Sequence, residues 1–190
     1  FSLLLKNPYC FGLAGLNSIM LTLYAGKLKR TGLPGNLTIG YLVGSTLLFG
    51  GLAVAPYGVG NLVPTELWVL VLMAALSTVG RELIKGIQDM PGDRKLRVQT
   101  FPLTHGEKKA AIVAVAFILG AVVLSPIPYI QGIFGQAYLI PLLLSIGSFL
   151  TACGLILWKQ NPRVGGWASL ACKIGMGFGL VAFLAGVFSI

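Results

Sequence analysis

Residues 79–106 read VGRELIKGIQDMPGDRKLRVQTFPLTHG. This stretch holds Asp89 and Asp93, the only two aspartates in the chain, four positions apart. Arg81, Glu82, Lys85, Arg94, Lys95 and Arg97 surround them, and Pro91-Gly92 interrupts the run. On both sides the sequence becomes apolar for long distances. A chain with so few charges has gathered them around one segment, and that segment decides how the rest is read.

The 190 residues are 56% hydrophobic and 10% charged, with a mean hydropathy of +0.87. Soluble domains carry roughly 45–50% apolar and about 25% charged residues. Too few charges are present here to coat a soluble core, so the composition predicts an all-α, polytopic membrane protein. A spanning helix needs about 20 apolar residues. Six stretches qualify: 8–25, 37–55, 65–84, 110–124 (starting as early as Glu107), 136–158 and 167–190. Small residues recur within them, Gly175, Gly177, Gly179 and Gly186 among others, and favour closely packed helices.

The net charge of +9 does not point to nucleic acid. Basic residues sit in short joints, without the interleaved aromatics of a base-stacking surface. Joints 26–35, 85–109 and 159–166 are basic, whereas 56–61 and 126–135 carry no charge. This alternation predicts true spans with the basic joints facing the cytoplasm and both termini opposite, Lys6 being the exception. Cys10, Cys153 and Cys172 are scattered through apolar segments without metal or disulfide spacing, and read as buried thiols. With no heptad, low-complexity tract or repeat, residues 1–190 form one membrane domain. The chain begins with Phe1 in apolar sequence and lacks a signal peptide, which reads as a fragment without its N-terminal part.

DxxxD spacing on a helix sets two carboxylates on one face, one turn apart. Such anions repel unless a cation shares the site. Magnesium suits them, because it takes one or two carboxylates together with waters and substrate phosphates. Arg81, Lys85, Arg94 and Lys95 would neutralise the rest of a diphosphate; an ion-paired, solvated loop would show the same spacing. Pro91 disfavours helix in the residue before it, so the pair is expected to lie partly on a turn. Glu82 and Lys85, on the last turns of an apolar segment, suggest a polar cavity opening from the membrane into the loop.

RELIKGIQDMPGDRK followed by Thr100-Phe101-Pro102 and Gly106 resembles the second aspartate-rich motif of UbiA-type intramembrane prenyltransferases. The segment LYAGKLKRTGLPGN (23–36) is similar to that family's Y-S-x-x-L-K-R…G-N block, and the last helix around Lys173–Met176 and Ala182–Leu184 also agrees. The similarity spans essentially the whole chain. It implies a nine-helix fold, of which these are helices four to nine. It also implies magnesium as cofactor, with Asp89 and Asp93 as its ligands and the catalytic pair. A prenyl diphosphate donor and a lipid or aromatic acceptor would be the partners, beside membrane lipid, with no protein partner evident. Tyr24, Lys27, Lys29 and Arg30 join Arg81, Lys85, Arg94 and Lys95 as expected substrate contacts. For the three basic residues positive-inside placement is the competing explanation, and for Tyr24 an interfacial belt.

The motif wording is most similar to members that transfer a geranylgeranyl group to geranylgeranylglyceryl phosphate; aromatic quinone or tocopherol precursors are the alternative acceptors. Gly86 and Ala25 depart from the family's usual aspartate and serine, and its first motif, N-D-x-x-D, is absent from these residues. Outside this class, an ion-coupled transporter would place its carboxylates near the bilayer midplane instead of beside a loop. His105 reads as a plain surface residue, and Lys173, about a turn and a half into the last helix, as a snorkelling cation. Asn7, Asn17 and Asn36 are expected to bond between helices. Trp68, Trp158 and Trp167 fall where an aromatic belt would place them.

Overall fold

The computed structural model describes residues 7–54 and 65–188. Eight α-helices are present: α1 (Pro8–Gly26), α2 (Leu33–Val54), α3 (Thr65–Lys95), α4 (Phe101–His105), α5 (Glu107–Leu124), α6 (Ile127–Ile130), α7 (Leu139–Trp158) and α8 (Pro162–Val187). No strand occurs among the described residues. Six helices are long and apolar enough to cross a membrane, each matching one expected span. Single-turn 3₁₀ segments at Leu28–Arg30 and Gln136–Tyr138 lead into α2 and α7.

Local sequence explains the helix starts. Asn7 caps α1: its Oδ1 accepts from the N–H groups of Tyr9 and Cys10 at 3.0 and 3.2 Å, and Pro8 follows at the first helical position. The Asn7 amide also donates to Leu52 O at 2.7 Å, tying the start of α1 to the end of α2. Asn161 and Pro162 repeat the device at α8. The expected role of Asn7 between helices is therefore present, whereas Asn17 Oδ1 is buried without a partner among the described residues.

Helix α3 is central, packed against α2, α4, α5 and α8. On α2, Gly40 and Gly44 let the two backbones meet. A Cβ at either would stand 2.8 Å from Ala75 O or 2.9 Å from Val71 O. On its other side, Leu83, Ile84 and Ile87 pack into a core with Ala110, Ala114 and Ile118 of α5, Ala152 and Ile156 of α7, and Ala168 and Cys172 of α8. A second cluster at the opposite end joins Phe134, Tyr138, Leu142 and Ala182. There the Tyr138 hydroxyl donates to Ser125 O at 2.7 Å. All three cysteines are buried and unpaired.

Two expectations need correction. Residues 85–95 are not loop: α3 continues through Pro91 to Lys95. Of the 85–109 joint, only 96–100 and Gly106 lie outside helices. The DxxxD pair is accordingly helical throughout. Proline removes one backbone donor, but buried Ile87 and Met90 anchor the turn that leads into it. Arg94 and Lys95 in the last turn also offset the helix dipole. Helix α8 likewise starts at Pro162, five residues before the apolar run, because Asn161 caps it.

At about 1.5 Å per residue, the 31-residue α3 is about 46 Å long, against ~30 Å of hydrocarbon. Its last turns therefore project from the apolar slab. Around this projecting end the three basic joints assemble. Gly32 lies against Gln99 O and the Phe101 backbone, and Gly165 against the backbone of Gln88. The neutral segment 126–135 sits at the other end with Phe134. The 56–61 joint and Lys6 lie outside the described residues.

Candidate functional site

Met73, Ser77, Arg81, Lys85, Asp89 and Asp93 succeed one another every four residues along α3. On an α-helix such positions form one gently inclined ridge. The ridge begins as cavity wall: Met73 and Ser77 line a half-open cavity of about 260 Å³ to which α2, α3, α5, α7 and α8 contribute. One turn on it becomes cationic with Arg81 and Lys85, both half-buried, and it ends on the two carboxylates. Apolar wall and charged end thus follow one another along one helix, the ridge turning about 200° around α3 between Met73 and Asp93.

The cavity differs from the expected polar one. Four of its five hydroxyls are turned to backbone: Thr46, Ser77, Ser125 and Ser145 donate to the carbonyls of Val43, Ala74, Val122 and Gly175. The surface presented is mostly hydrocarbon. Polarity starts only at Arg81, whose Nη1 pairs with Glu82 Oε1 while its buried Nε has no partner among the described residues.

Asp93 is half-buried and feels both the Asp89 carboxylate and the Lys85 ammonium; Asp89 is exposed. Thr100 approaches Asp93, with its buried hydroxyl oxygen outside hydrogen-bond geometry with any described group. Arg94 and Lys95 are exposed at the helix end. Tyr24, on the last turns of α1, is half-buried within electrostatic range of Glu82. Lys27, Lys29 and Arg30 are exposed in the joint that reaches Phe101 through Gly32. The structure therefore brings Arg81, Lys85, Asp89 and Asp93 onto one face. Tyr24 and the basic joint lie at the same end of the bundle.

Several features were invisible in the sequence. Gly86 stands against Pro102: a Cβ there would meet the ring at 3.1 Å, so α4 fills the space beside the ridge. Arg97 adopts φ +53°. Lys173 is about three turns into α8, not one and a half, and is exposed. His105 is a surface residue, its ring stacked on Phe101 at 4.4 Å. The three tryptophans are exposed near helix ends, as a belt requires. The cavity comes from five helices, and no contiguous motif could have announced it.

No group of three or more His, Cys, Asp or Glu side chains gathers among the described residues. Two carboxylates one turn apart fit magnesium, which fills its remaining positions with waters and phosphate oxygens. The unpartnered Arg81 Nε and the basic rim fit the anion that would accompany it.

Residues 1–174 match the UbiA prenyltransferase family. The chain belongs to that family. Digeranylgeranylglyceryl phosphate synthase of Methanosarcina mazei is 44% identical over 181 residues, covering 95% of this chain and 60% of that protein. The enzymes of the same name from Methanococcus aeolicus and Methanopyrus kandleri are each 38% identical, covering 96% and 94% of this chain and 62% and 63% of their own. A solved structure from work on digeranylgeranylglyceryl phosphate synthase in membranes superposes with a TM-score of 0.84 at 38% identity. It is covered over 96% of this chain and 62% of that one. The chain thus spans about three-fifths of these relatives, and this UbiA-family bundle is a membrane protein whose polar end is built on α3.

Proposed function

We propose that the full-length protein transfers a geranylgeranyl group from its diphosphate to geranylgeranylglyceryl phosphate, with magnesium as cofactor. One observation carries the reading: a hydrocarbon-walled cavity continues along a single ridge of α3 into Arg81, Lys85, Asp89 and Asp93. A prenyl diphosphate has that same succession, an apolar tail joined to a polyanion. The relatives' names favour the glycerolipid acceptor over an aromatic one.

In this reading Asp89 and Asp93 hold the metal, which supplies Lewis-acid stabilisation of the departing diphosphate. Arg81 and Lys85 bind diphosphate oxygens at the cavity mouth. Glu82 fixes the Arg81 guanidinium there. Arg94, Lys95, Lys27, Lys29 and Arg30 form the outer basic rim, where each charge is screened and partly redundant. Tyr24 borders the reacting end. The allylic C1–O bond breaks with its electron pair leaving on the diphosphate. The acceptor's glycerol oxygen then forms the new C–O bond and passes its proton to the released diphosphate. The apolar wall keeps water from the allylic cation, so transfer outcompetes hydrolysis. The basic joints are assigned to the cytoplasmic side.

The test is product analysis. Full-length protein in lipid nanodiscs, given geranylgeranyl diphosphate, magnesium and both acceptor types, should yield the double ether of glycerol phosphate by mass spectrometry. Prenylated aromatic product alone would shift the assignment to the aromatic acceptor. No prenylated product of either kind would reject the proposal.

A further inference from the structure

The cavity has a built floor. Helix α8 runs away from the polar end, since its start at Gly165 rests on Gln88. Of its cavity-lining residues, Gly175 is therefore nearest the charged ridge and Phe183 farthest. On α3, which runs towards the polar end, Leu70 is the farthest lining residue by the same logic. Phe183, Leu70 and Ile146 are also the cavity residues that pack onto the Phe134–Tyr138 cluster. The Phe183 ring meets Phe134 edge-on, with centroids 5.6 Å apart, and Tyr138 at 6.0 Å. Tyr138 in turn is locked through its hydroxyl to Ser125 O at the end of α5. Aromatic rings braced in this way resist displacement by a flexible hydrocarbon.

We propose that Phe183, braced by Phe134 and Tyr138, is the stop that limits the length of the prenyl chain this cavity accepts. The inference rests on the donor reading above and adds the residue that sets its chain length. Gly179 lies one turn nearer the polar end, also on the cavity wall, and a Cβ there would meet only Ser145 Oγ at 3.5 Å. One turn of helix, ~6 Å over four residues, is comparable to one isoprene unit of an extended chain. Opening the floor at 183 should thus admit one more unit, and raising it at 179 should exclude one.

The experiment uses full-length protein in nanodiscs and unreactive thiolodiphosphates of farnesyl, geranylgeranyl and geranylfarnesyl chains. Affinity is measured for the wild type, Phe183→Ala and Gly179→Leu, with turnover of the corresponding diphosphates alongside. The preferred chain should move from 20 to 25 carbons in Phe183→Ala, a change of about tenfold in the ratio of the two affinities. It should move to 15 carbons in Gly179→Leu. If Phe183→Ala does not fold, Gly179→Leu carries the test, because its side chain enters open space. An unchanged chain-length order in the folded variants would overturn the proposal. Should the wild type bind geranylgeranyl thiolodiphosphate without chain-length preference, the stop fails while the donor reading stands. Should it bind none of the three, both fail.

Discussion

Among the described residues, Arg97 has the backbone least typical of its kind. Its φ of +53° belongs to the left-handed region where glycine is the ordinary occupant. The cause is the end of α3: Val98 N–H bonds to Asp93 O at 3.0 Å and Arg97 N–H to Arg94 O at 3.3 Å. This is the paired closure that puts the residue after a helix in the left-handed state. A non-glycine residue there costs roughly 1–2 kcal/mol. Arg97→Gly should therefore stabilise the protein by about 1 kcal/mol, read as a shifted midpoint in chemical unfolding. A midpoint unchanged or lowered would show that the Arg97 side chain repays the strain. The candidate ligands themselves were legible, because the only two aspartates of an apolar chain stand out in any reading. Gly86 was legible only as a departure from a pattern. Its reason, the Pro102 ring beside it, depends on a short helix that the sequence does not signal.

Among the elements, α3 is the one that joins cavity and charged end. All six spans were readable from hydropathy because a bilayer demands one continuous apolar length from each. Their ends were less readable, since polar caps and tertiary contacts extend a helix beyond its apolar part. Pro91 is the clearest case: local preference argues for a turn, and the burial of Ile87 and Met90 overrides it. Close packing of α2 on α3 through Gly40 and Gly44 then holds the ridge against the cavity. Gly44→Val should push Val71 and its backbone carbonyl away and cost about 1–3 kcal/mol. Gly12→Val on α1, with open space around it, should lie within about 0.5 kcal/mol of the wild type in the same unfolding measurement. Equal costs at both sites would mean that the α2–α3 contact does not need its glycines.

At the scale of the whole molecule, the basic joints gather at one end of the bundle and the neutral segment 126–135 at the other. That separation follows from the charge alternation in the sequence. The site, by contrast, was only half legible. Its charged residues lie in one stretch, while its cavity is assembled from five helices that only the fold brings together. Cysteines introduced singly at Thr31, Gln99 and Tyr129 should report the proposed orientation in intact cells. An impermeant thiol reagent should label only the Tyr129 position; labelling of the other two with Tyr129 protected would invert the assignment.

The most direct test of the central claim is magnesium-dependent prenyl transfer by full-length Asp89→Asn and Asp93→Asn variants. The amide keeps size and one acceptor oxygen but loses the charge that binds the metal. Metal stabilisation of a leaving diphosphate amounts to several kcal/mol, and each ~1.4 kcal/mol is about tenfold in rate. Turnover should fall on the order of a hundredfold or more in each variant, with unfolding midpoints near that of the wild type. Exposed Arg94 and Lys95, replaced by glutamine, should lose far less. Near-normal magnesium-dependent transfer in both aspartate variants would contradict the account.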